Sequence, residues 1–294
     1  MKNLIVNADD LGWTDGVNRG ILRAFRGGIV TSTSLLANGT AFAQGVKAAK
    51  SAPGLGVGVH LNLSDGAPVA DRESVTSLLD ENGKFAAGPE SLLWKRARRR
   101  LVLDEVEEEW DAQIQKVRDA GIQPTHLDGH KHVHMLPDLF DIALLLAKKH
   151  GIGAIRVSLE ESSLRSALSS GEKQNSAVVM KQGLQARGLK LLARGARKQA
   201  ARMRIATADY FCGIAQTGEL TLEGVEVLLK SLPEGTSELI CHPGYADEAL
   251  QKTATRLQAS RQKEMEILTD TRIRNLVASQ GIRLIDYGFV TQDA

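Results

Sequence analysis

"NLIVNA" (residues 3–8) reads as a strand buried on both faces, and Val17, Ile21, Leu22 and Phe25 follow it at helical spacing. The same rhythm runs outward along the chain. "GIVTSTSLL" (28–36) and "LGVGVHLNL" (55–63) are the next strands, with a helix near 41–51 between them. A charged helix at 104–120 leads into "THLD" (125–128), and a helix at 137–150 leads into "AIRVS" (154–158). Then come "DYFCGI" (209–214), a helix at 221–231, "SELICH" (237–242), a long helix at 256–280 and "IRLIDY" (282–287). Strands alternating with helices argue for a mainly parallel sheet, open or closed into a barrel. No GxGxxG follows the first strand, which removes support for a dinucleotide-binding version. In either architecture the chemistry sits at the C-terminal ends of the strands.

The 294 residues suit a single α/β domain, 1–294, with 43% hydrophobic and 24% charged residues. A formal charge of +2 and 4% aromatics give no case for a nucleic-acid partner. Cys212 and Cys241 form no CxxC pair and suggest a reducing compartment. No basic start leads into an apolar stretch and no apolar run is long enough to span a bilayer, so the expected location is the cytoplasm.

Two stretches break the rhythm. Residues 64–103 are turn-rich, carry "KRARRR" (95–100), and are expected to form a loop with a helix of its own. Residues 159–208 read as a helical insertion, with eight Lys/Arg and no acid from Lys181 to Ala208. Leu189, Leu192, Ala196, Ala200 and Met203 make a helical stripe there, which fits an amphipathic helix packed on the domain with a solvated basic face. A lid, or peripheral contact with anionic lipid headgroups, are the other readings.

Chemistry-bearing side chains gather at strand ends. Asp9 and Asp10 follow the first strand, His60 sits on the third, Asp128 and His130 end "THLD", and His242 ends "SELICH". Taken singly, Asp9 or Asp10 could cap the next helix, His60 could be a core histidine, and His242 could bond a turn. Gathered on one rim, they point instead to a site. "THLDGHKHVHMLP" (125–137) adds four of the seven histidines within nine residues. In extended backbone His130, His132 and His134 would share one face. One carboxylate and two imidazoles suit a divalent metal with open positions, as a hydrolase needs. Asp9 and Asp10 are adjacent and would point opposite ways unless the chain bends after the strand.

"NADDLG", "VNRGILRAFRGGIVTSTSLLANG", "GVGVHLNL", "PTHLDGHKHVHMLP" and "ELICHPGYAD" resemble, in order and spacing, the YdjC-like carbohydrate deacetylases, with "SRQKEMEILTD" (260–270) similar to their last helix. That family includes chitooligosaccharide deacetylases and the hopanoid-associated HpnK proteins. The resemblance implies a deformed TIM-like barrel and one divalent metal ion, magnesium or zinc, held by Asp10, His60 and His130. It implies removal of the acetyl group from an N-acetylated amino sugar, with Asp9 as base and His242 as acid. His132, Arg156 and Tyr245 are expected to contact substrate, and a homodimer or contact with a membrane glycolipid are further expectations. The competing functions are another barrel metallohydrolase, such as a phosphodiesterase, and a non-catalytic carbohydrate- or lipid-binding protein.

Overall fold

The computed structural model describes residues 1–86, 88–136, 138–170, 177, 180–184, 195–253 and 255–291. Strand β1 (Lys2–Leu11) leads to α1 (Asp15–Gly27), β2 (Ser32–Leu35), α2 (Phe42–Lys50) and β3 (Gly56–Leu61). After α3 (Pro89–Ala97) and α4 (Leu103–Asp119) come β4 (Leu127–Gly129), α5 (Leu139–His150), α6 (Ser162–Leu168) and α7 (Ala196–Arg202). The chain closes with β5 (Tyr210–Cys212), α8 (Leu222–Ser231), β6 (Gly235–Cys241), α9 (Glu248–Gln251), α10 (Ala259–Thr269), α11 (Thr271–Ser279), β7 (Arg283–Leu284) and α12 (Tyr287–Val290).

The sheet is parallel in the order β4-β3-β2-β1-β6-β5, and β7 joins the start of β1 at Asn3 and Leu4. Parallel bridges Leu127–Ile155, Ala154–Ala206 and Glu160–Phe211 connect β4 and β5 through residues 154–160. The sheet therefore curls on itself, and the expected deformed TIM-like barrel is the fold. "AIRVS" supplies this closure through single bridges instead of the continuous strand expected. The long helix expected at 256–280 is two helices: Asp270, in extended backbone, ends α10 and caps α11 by accepting from the Arg272 amide at 2.8 Å. The 64–103 stretch carries α3, as expected.

Alternation along β1 divides two environments. Leu4, Val6 and Ala8 pack into the main core with the outer helices, while Ile5 packs with Ala154, Ile285 and Tyr287 inside the curl. Asn7 and Asp9 share that inner face, and Asn7 Nδ2 donates to Ser34 Oγ and Asp9 Oδ1, both at 2.8 Å. The inside of this barrel is thus polar along the line that ends at the strand tips. Gly58 of β3 makes room for it: a Cβ there would lie 2.4 Å from the His126 ring.

Of the stripe expected within residues 159–208, Ala196 and Ala200 are buried and Met203 packs against the core, whereas Leu189 and Leu192 lie outside the described residues. Among the described residues no helix is long and apolar enough to cross a membrane.

Candidate active site

The register of β1 against β2 shifts between Ala8 and Leu11, and Asp10 within that bulge takes φ 78°. A left-handed aspartate is costly, and it is paid here where both carboxylates must turn the same way. His60 Nε2 lies 3.9 Å from Asp9 Oδ2 and 3.6 Å from Asp10 Oδ1. The bend that adjacent aspartates require is therefore present. Capping of α1 falls to Thr14, whose side chain accepts from the Val17 amide at 3.3 Å.

The histidine run is not extended. Lys131 and His132 are left-handed at φ 53° and 58°, inside a tight turn over His130–Met135. That turn separates the alternating histidines. His130 Nδ1 reaches Asp10 Oδ1 at 3.0 Å, and Nε2 faces Asp65 Oδ2 at 3.2 Å. His132 Nδ1 pairs with Ser158 Oγ at 2.9 Å and its ring reaches the cavity wall, while buried His134 directs Nε2 to the Arg156 carbonyl at 3.1 Å. His126 stacks on Tyr287, 4.0 Å between centroids, in the interior below.

Asp10, His60 and His130 bring one ligand atom each to within 4.8 Å of one another. Among the described residues His242 Nδ1 is buried without a hydrogen-bond partner. Such an orphan needs a ligand or a proton to justify it. Electrostatics ask for the same thing. Burial opposes charge on His130, but Asp10 and Asp65 overcome it and push the imidazole up to about 9. Burial likewise opposes charge on Asp10, yet Arg261 and His130 hold its carboxyl well below the usual range. The donor set, with one ligand atom each from Asp10, His60 and His130, and its demand for positive charge fit a divalent cation.

Behind His60, Asp128 Oδ1 takes Nδ1 at 2.7 Å, which turns Nε2 toward Asp10. Asp128 Oδ2 accepts from Ser34 Oγ at 2.7 Å and meets Arg156 Nη1 at 2.6 Å. Arg156 also donates to Asp9 through Nη1 and Nη2 (2.9 and 2.8 Å) and to Glu238 through Nε (2.8 Å). Burial would raise the Asp9 carboxyl, but Arg156, and then His60, more than offset this and keep it ionised. Glu238 pays for its burial by rising to about 7, and Tyr287 donates its hydroxyl to it.

The late helix α10 completes the rim. Arg261 and Glu264, three residues apart, share one of its faces and are each only 1% exposed. Arg261 Nη2 reaches Asp10 Oδ2 at 2.6 Å, and Glu264 Oε2 accepts the His242 amide at 2.6 Å. Gly20 of α1 approaches Gly244 so closely that a Cβ would fall 2.3 Å from its Cα, which seats the turn after His242 against α1. Together these elements enclose a cavity of about 630 Å³ lined by Asp9, Asp10, His60, His130, His132 and His242, with Trp13 and Arg261 beside them.

Comparison with known proteins now places the chain. A family model described as YdjC-like protein matches residues 3–279. The chain belongs to the YdjC-like family. A carbohydrate deacetylase of Geobacillus stearothermophilus is 34% identical over 96% of this chain and 96% of its own length. A chitooligosaccharide deacetylase of Klebsiella pneumoniae is 32% identical, covering 97% of each chain. Among solved structures, an Enterococcus faecalis protein provisionally described as a cellobiose-phosphate cleavage protein superposes with a TM-score of 0.75 at 30% identity, covering 97% of each chain.

Within this YdjC-like protein, six of the eight residues singled out from the sequence meet at the cavity. Arg156 does not: it is fully buried below Asp9, with its guanidinium committed to Asp9, Asp128 and Glu238, so substrate contact is not its placement. Tyr245 lies off the cavity wall, its ring under the Arg19 guanidinium at 5.5 Å. Sequence reading missed Asp65, Arg261 and Trp13. Arg261 stood in plain view in "SRQKEMEILTD", and the arginine–glutamate spacing of three was the available signal. Nothing local links that helix to Asp10, 251 residues away.

Proposed function

We propose that this YdjC-like protein is a metal-dependent hydrolase that removes the N-acetyl group from an N-acetylated amino sugar, releasing acetate. The Asp10–His60–His130 cluster on the cavity wall carries the reading, in a chain near full-length similar to carbohydrate deacetylases. Two imidazoles in the set favour zinc over magnesium. A bound divalent ion would polarise the acetamide carbonyl and lower the pKa of a water beside it.

The remaining roles belong to the chain itself. Asp9, held ionised and oriented by Arg156, accepts the proton of the attacking water. His242 delivers a proton to the sugar nitrogen as the C–N bond breaks. Burial pulls His242 down to about 4, so its ring enters neutral, and the proton it hands to the nitrogen is the one released by the attacking water and passed on by Asp9. Negative charge building on the acyl group beside it favours that step. Trp13 and His132 offer surfaces for the sugar, and Gln182 brings the inserted segment to the same cavity.

An acetate-release screen over N-acetylglucosamine oligomers, with metal stripped and restored, tests this. Metal-dependent acetate release supports it. Hydrolysis of phosphate esters with no acetate release would favour the phosphodiesterase reading, and sugar binding that persists without metal and without turnover would favour a binding protein.

A further inference from the structure

Arg261 has a nitrogen to spare. Its Nε donates to the Leu257 carbonyl at 3.2 Å and its Nη2 is taken by Asp10, but Nη1 is buried with no hydrogen-bond partner among the described residues. The guanidinium carbon is 5.5 Å from the Trp13 ring, and the residue lines the cavity that holds Asp9, Asp10 and His242. A permanently charged donor left unsatisfied in a buried site is costly unless a ligand acceptor completes it. Among the described residues lining the cavity, His242 Nδ1 and Gln182 Oε1 also lack partners; the first answers to a proton and the second is an acceptor. Of these atoms among the described residues, Arg261 Nη1 alone is obliged to donate, and a carboxylate or a developing oxyanion is its natural complement.

Resting on the deacetylase reading, we infer that Arg261 is a catalytic residue whose Nη1–H donates to the acyl oxygen of the acetamide during attack and to the carboxylate of acetate afterwards. As the water oxygen bonds to the carbonyl carbon, the π pair moves onto the acyl oxygen, and the donor meets that charge. When the pair returns, the C–N bond breaks and the nitrogen takes a proton. Acetate then leaves with the same oxygen beside Arg261. Its Nη2 contact with Asp10 meanwhile fixes the guanidinium, so the donor is in place before charge develops.

Acetate itself is the probe. Wild type and Arg261→Lys, each loaded with one equivalent of zinc, are titrated with acetate by calorimetry. The lysine keeps a charge for Asp10 but has no second nitrogen. Acetate affinity should fall at least tenfold, and kcat by about a hundredfold or more with a smaller change in KM. If Arg261→Lys does not hold zinc, Arg261→Ala is assayed with added guanidinium, which should restore acetate affinity in proportion to its concentration. Equal acetate affinity in zinc-loaded wild type and Arg261→Lys, or absence of guanidinium rescue, overturns the assignment. A wild type that binds acetate through Arg261 yet hydrolyses no acetamide would sink the proposed reaction instead, so the two failures are told apart.

Discussion

His60 presents Nε2 to Asp10 because Asp128 Oδ1 holds the opposite ring nitrogen at 2.7 Å. Asp128 is fully buried and does not line the cavity, so its influence on any ligand passes through His60. Asp128→Asn should weaken zinc binding by roughly 10- to 100-fold while leaving all three proposed ligands in place. Competition with a chelator measures it. Unchanged affinity would mean that the ring is oriented by packing alone.

Asp10→Asn, His60→Ala and His130→Ala should lower metal occupancy and activity together. Elemental analysis beside acetate-release assays checks each one. Full occupancy in the His130 variant would remove it from the ligand set.

Asp9→Asn and His242→Ala should keep the metal and lose about a hundredfold or more in kcat, the scale of a lost proton-transfer group. Asp9→Asn removes one of three carboxylates around Arg156, so its folding midpoint should fall as well. His242 makes no side-chain hydrogen bond among the described residues, so His242→Ala should melt near wild type. Near-normal turnover in His242→Ala would leave that histidine as a turn residue.

His134 links the buried interior to acid stability. Burial, the largest influence, pulls its pKa from 6.5 to about 4. Between these values the unfolded chain binds a proton that the folded chain refuses, so this contribution is intact above pH 6.5 and is lost as pH falls toward 4. His134→Gln removes the linkage. Urea unfolding at pH 7 and pH 4 should show wild type losing up to about 3 kcal/mol more than the variant across that window. Parallel losses in both proteins would contradict a neutral buried His134.

Gln182 donates to the Thr217 carbonyl at 3.2 Å, and among the described residues its buried Oε1 has no partner at the cavity. Gln182→Ala should raise KM roughly fivefold, as expected for one hydrogen bond of about 1 kcal/mol, with kcat and metal content unchanged. An altered metal content would assign Gln182 to support of the metal site.

The strand–helix rhythm, the parallel sheet and the gathering of Asp9, Asp10, His60, His130 and His242 at strand ends were legible in the chain, because periodicity and strand polarity are local properties. The family motifs carried the choice of Asp10 over Asp9 as metal ligand. What local pattern could not supply was direction. Whether adjacent aspartates face one site depended on a bulge with Asp10 at φ 78°, and whether three alternating histidines share a face depended on left-handed Lys131 and His132. Arg156, within "AIRVS", was expected to contact substrate, yet closure of the barrel turned it inward onto three carboxylates. Arg261 and Glu264 were not singled out in "SRQKEMEILTD", and packing places both beneath the rim. Local sequence determines which groups reach the ends of strands, but long-range packing decides which way each one points, because the partners that satisfy a buried charge lie up to 251 residues away.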